Sequence, residues 1–217
     1  MAGVKGPLLS MRASGQIGKS QVYGSWRGVP YARVHVIPAN PKTVAQMAQR
    51  NLFSNIIETF KRMGALARAP WDAFAVGRPL LGRNVIVQSN VAVLKGQADM
   101  SDWIGSPGTK GGLPGTVLAL NVAVAGQVTA TLTLGAAPTG WVASSVIAVA
   151  QEQRAVDVIM TNPPTEAENA APVAPGANAV VLATGAGTQV VTAWPKWTKP
   201  DGTFAYGPSL TAVGVVI

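Results

Sequence analysis

From Thr116 to the C-terminus the chain is cut into short runs rich in β-branched residues. "TVLALNVAVA", "QVTATLTLG", "GWVASSVIAVAQ", "RAVDVIMTN", "ANAVVLATG", "TQVVTAWPKWTK" and "SLTAVGVVI" follow one another, with turn residues between them. About seven such runs in roughly a hundred residues leave room for little except stacked antiparallel sheets, so the spacing predicts a small β-sandwich over residues 116–217. "TNPPTEAENAAPVAPGAN" (161–178) is expected to be an exposed loop within it. The most apolar stretch, 116–134, is interrupted by Asn121, Gly126, Gln127 and repeated Thr. It therefore reads as strands and not as a membrane span.

Upstream, the period changes. Residues 14–37 form Gly-broken strands, and "VPYARVHVI" is bracketed by Pro30 and Pro38 as an edge strand would be. Its Tyr31, Arg33 and His35 share one side, opposite Ala32, Val34 and Val36. Asn40 and Pro41 predict a helix start. Leu52, Ile56, Phe60 and Met63 then make one helical stripe, ended by Gly64. A short helix is predicted to open at Pro70 in "PWDAFA", and a third over "LLGRNVIVQSNVAVLKG" (80–96). Residues 97–115 are rich in Gly, Pro and Asp and read as a linker.

The expected organisation is thus α+β. A basic strand-plus-helix assembly domain (1–96) is joined through the 97–115 linker to a sandwich (116–217). Charge divides the same way. Residues 1–96 hold 13 Lys+Arg against 2 Asp+Glu, while 97–217 hold 4 against 7. A basic half suits a polyanion or an acidic protein surface. Only 12% of the chain is charged while 48% is hydrophobic, and an ordinary soluble domain carries about twice that charged fraction. With 24 Gly and 16 Pro, the balance points to a surface largely covered by neighbours.

Chemistry has little to draw on. There is no cysteine and a single histidine, His35, which leaves no thiol nucleophile and gives a triad or an imidazole metal site almost nothing to draw on. Glu166 and Glu168 fall in the Pro/Ala-rich loop, and Asp99 and Asp102 lack the dense oxygens of a strong calcium loop. "GSPGTKGG" (105–112) departs from the phosphate-loop pattern because Lys110 follows Thr109, with no strand-loop-helix around it. The chain is expected to be no enzyme and to bind no cofactor or metal. Trp194 is assigned to the core. Trp197, Phe204 and Tyr206 form a possible exposed aromatic edge, with carbohydrate as its weaker alternative ligand.

"SGQIG" (14–18), "WRGVPYAR" (26–33), "PANPKTVAQMAQR" (38–50), "APWDAFA" (69–75) and "LGRNVIVQSNVAVL" (81–94) together resemble a family of structural proteins of tailed bacteriophages and prophages. The likeness covers roughly residues 14–96. Its Gln-x-x-x-Arg-like element is Gln46 to Arg50, one residue longer than the family pattern. "AWPKWTKPDGTFAYGPSLTA" (193–212) resembles an immunoglobulin- or fibronectin type III-like module, of the kind that decorates virion heads and tails. The resemblance implies a virion component made in the host cytoplasm. It would be a capsid-decorating (cement) protein or, second, a tail or head-tail connector protein. Its partners would be major capsid or tail subunits and copies of itself. The expected interface is Trp26, Arg27, Tyr31, Arg33, His35, Lys42 and Arg50, since aromatic and Arg side chains anchor protein interfaces. Binding of nucleic acid by the same basic half ranks behind assembly, and no membrane is expected.

Overall fold

The computed structural model describes residues 3–4, 13–26, 29–110, 112–156, 158–169 and 175–217. The chain divides into two compact units at 43/44, whereas the expected division was at 96 and 115.

The first unit is an antiparallel sheet in chain order. It comprises β1 (Gly3–Val4), β2 (Ala13–Ile17), β3 (Gln21–Trp26) and β4 (Val29–Val34). Gly18 makes the β2–β3 turn in the left-handed region, at φ +55°, where a Cβ would be strained.

The second unit opens with α1 (Val44–Arg62), α2 (Ala65–Ala75) and α3 (Gly82–Leu94). The third helix forms where its apolar spacing predicts; the first two start elsewhere. Lys42 adopts a φ of +49°, which a right-handed helix cannot contain. The Asn40-Pro41 signal is thereby overridden, and α1 begins at Val44. Along it Leu52, Ile56 and Met63 are buried as the stripe predicts, joined by Asn55 and Thr59. α2 begins five residues before Pro70, which lies buried inside it. That start is held from a distance: the Glu166 carboxylate accepts the N–H groups of Gly64, Leu66 (3.0 Å) and Ala67 (3.2 Å). A carboxylate on three orphan donors both caps the helix and offsets its dipole. Replacing Glu166 with Ala should cost about 1–2 kcal/mol in denaturant unfolding, and Gln, which keeps an acceptor, should recover part of it.

The remaining strands build two sheets. The larger has β8 (Thr165–Glu168), β7 (Val142–Glu152) and β10 (Gly187–Thr198) side by side. Both β11 (Phe204–Tyr206) and β12 (Leu210–Val216) pair with β10. The smaller is β5 (Gly115–Asn121), β6 (Gln127–Leu134) and β9 (Gly176–Ala183). Burial alternates along β6, as in a strand covered on one face. In β7 and β10, by contrast, seven consecutive residues are buried, 145–151 and 189–195. Both faces of the larger sheet are covered. Val146, Ala148, Ala150, Val191 and Ala193 meet Val128, Leu132, Val180 and Leu182 of the smaller sheet. On the other side Ile147, Val149, Val190, Trp194 and Tyr206 join the helical core of Ile56, Trp71, Ile86 and Leu94. The unit is α+β in three layers: helices, larger sheet, smaller sheet.

Three expectations fail within this arrangement. Residues 97–115 are no linker, because Met100 and Trp103 are buried in the helical core. Glycine there serves close approach: a Cβ on Gly105 would sit 2.5 Å from the Thr192 hydroxyl and 2.8 Å from the Trp194 ring, and one on Gly112 would meet the Tyr206 carbonyl. The described residues of 154–162 form no strand, only an isolated bridge from Asp99 to Ala155. The side chain of Arg154 instead reaches Thr59 Oγ1 (2.9 Å), Asn55 Oδ1 (3.3 Å) and the Val158 carbonyl (3.1 Å). Burial pulls that guanidinium down to about 10, so it stays charged at neutral pH. Finally, Thr165–Glu168, expected in a loop, pairs with β7 as a strand.

Candidate functional site

The first unit lacks what the second has. Among the residues up to Asn51 whose side chains are described, none is buried; the core begins at Leu52. A short sheet with two open faces buries too little apolar area to offset the entropy of ordering it.

Register settles what that sheet presents. Gly24 stands opposite Tyr31, and Val22 opposite both Arg33 and Gln16. Opposed residues share a face, so Gln16, Val22, Gly24, Trp26, Tyr31 and Arg33 lie on one side. The Tyr31 ring crosses onto β3 over Gly24: a Cβ there would lie 2.9 Å from the Tyr31 hydroxyl and 3.0 Å from its ring carbon. Trp26 is 68% exposed and Tyr31 42%, and Arg33 is exposed beside them. Residues 1–43 contain six Lys/Arg and no Asp/Glu, so the positive field there has no internal compensation.

The edge is equally open. The His35 N–H donates to the Ser20 carbonyl (2.8 Å). By the alternation of an antiparallel pair, odd residues of β4 therefore turn their backbone groups inward and even ones outward. Ala32 and Val34 direct N–H and C=O to the free side, where no described strand pairs with β4. Pro30 occupies another outward position, so its missing N–H takes nothing from the ladder.

Of the expected interface, Trp26, Tyr31 and Arg33 are brought together on one face. His35 follows them, half-buried, and Lys42 is exposed. Arg27 lies outside the described residues. Arg50 belongs to the second unit, where it lines a shallow groove of about 510 Å³ with Gln49, Phe53, Ser54 and Val91.

The proposed C-terminal aromatic edge is not a surface. Trp197 is 1% exposed and donates its indole N–H to the Leu113 carbonyl (3.1 Å), and Tyr206 is 7% exposed; only Phe204 is open. These rings pack beside Thr109, which donates its backbone N–H to the Tyr206 carbonyl (2.7 Å) and accepts the Tyr206 N–H at its side-chain hydroxyl (2.8 Å). The carboxylates are occupied in the same structural way. Asp99 accepts from Ser101 and from Gln153 Nε2 (2.9 Å). Glu168 takes the Ser145 hydroxyl and the Lys196 ammonium (3.1 Å). Burial pushes the Glu168 carboxyl up, but those two partners outweigh it and the net direction is down. Sequence reasoning missed Glu166 and Arg154, each of which ties together segments about a hundred residues apart; no local pattern marks them.

Among the described residues there is no group of three His, Asp or Glu that could hold a metal, and no helix long and apolar enough to cross a membrane. Comparison with known protein families, with curated proteins and with solved structures found no match.

Proposed function

We propose that this chain is a non-enzymatic structural protein of a tailed-bacteriophage virion, most simply a capsid-decorating protein, whose first unit is an arm completed by a neighbouring subunit. The observation that carries the reading is the absence of any buried residue among those before Leu52 whose side chains are described. An arm with no core and an open strand edge gains its missing contacts by strand addition. The likeness of residues 14–96 to phage structural proteins supplies the virion. In this reading the paired sheets play the part of an immunoglobulin- or fibronectin type III-like module, carried outward together with the helical layer. A tail or connector position follows from the same features.

Cryo-EM of purified particles tests it. The expected result is density for residues 44–217 on the capsid exterior, with the arm paired to a subunit strand. Density confined to the tail would replace the decorating role with the tail role, and absence from particles would overturn both.

A further inference from the structure

The open face of the arm is a different surface from its open edge, and it has its own chemistry. Tyr31 lies over Gly24, where the lack of a Cβ lets the ring fold across the strand. The ring remains 42% exposed there. Trp26, two residue pairs further along and so on the same face, is the most exposed aromatic among the described residues. Arg33 follows on the same face, two residues from Tyr31, and nothing acidic occurs in residues 1–43.

We infer that this face binds single-stranded nucleic acid, with unpaired bases stacking on Tyr31 and Trp26 and with Arg33 on the phosphates, in a segment of net positive charge. Aromatic side chains standing on a sheet among cations form a platform that accepts any base, because every base has a π-face. A duplex keeps its bases stacked on one another and does not suit such a platform. An acidic protein surface is the competing partner for the same face, and competition by poly-glutamate tests it. The inference requires neither a virion nor a strand at the β4 edge.

The test is fluorescence anisotropy of the full chain with a labelled twenty-nucleotide oligo(dT). The duplex of the same length and poly-glutamate serve as competitors. Binding should weaken about twentyfold between 50 and 200 mM salt if three phosphates are engaged. Trp26→Ala and Tyr31→Ala should each weaken it about tenfold or more at unchanged charge. Gly24→Ala is the geometric control. Its methyl displaces the Tyr31 ring without removing it, so affinity should fall while the thermal transition of the second unit stays in place. No binding at 50 mM salt would overturn the inference. So would binding that survives both aromatic substitutions, or equal competition by duplex or poly-glutamate. Either of the last two would identify the face as a general anion surface.

Discussion

Residues 116–217 expressed alone should fail to fold, whereas residues 44–217 should fold cooperatively. The larger sheet is finished on one side by the helices. Without them Ile147, Val149, Val190 and Trp194 would face water across the middle of β7 and β10. The missing segment also supplies Met100 and Trp103, and the close seat of Gly105 against Thr192 and Trp194. Truncating one such buried aromatic, Trp194→Ala, should by itself cost about 3–5 kcal/mol. A domain's whole stability is about 5–15 kcal/mol. Circular dichroism and thermal unfolding of the two fragments decide the matter. A sharp transition from 116–217 alone would show that the helices merely rest on a self-sufficient sandwich.

The second large effect lies at the edge of the arm. Ala32→Pro and Val34→Pro each remove an N–H that points away from β3, leaving the ladder through residues 31, 33 and 35 in place. The preceding residues, Tyr31 and Arg33, already have the extended backbone that a following Pro requires. Both variants should keep the thermal transition of the second unit, yet incorporation into particles should drop to background, since an added strand cannot pair with an edge that lacks its donor. Copy number per particle, measured by quantitative mass spectrometry, is the readout. Normal incorporation of both variants would rule out strand addition at β4.

Much of this architecture was legible in the residues, though not always as first read. "VASSVIAVAQ" and "TQVVTAWPKW" do not alternate, and seven-residue buried runs are what a sheet covered on both faces requires. That signal argued for a third layer over the predicted sandwich, and the helices of residues 44–94 supply it. The edge character of β4 was legible from its bracketing prolines, because a missing N–H is tolerated only where no partner needs it. Glycine was the ambiguous letter. In 105–112 it suggested flexibility, but Gly105 and Gly112 are there because β10 and β11 approach too closely for a Cβ. The start of α1 was lost to one backbone angle, that of Lys42. Glu166 could not be found at all, since a carboxylate capping a helix 100 residues upstream leaves no local trace.

In the proposed function the arm of residues 13–43 is incomplete until a neighbour completes it. Backbone hydrogen exchange at Ala32 and Val34, in the free chain and in assembled particles, reads this out. No described strand pairs with the outward N–H groups, so in the free chain they should exchange at nearly the rate of an unfolded peptide while Ala148 and Ala193, central in the larger sheet, stay protected. In particles Ala32 and Val34 should slow by orders of magnitude as a neighbour's carbonyls take up their protons. Strong protection of both amides in the free chain, or equally rapid exchange in the two states, would contradict the account.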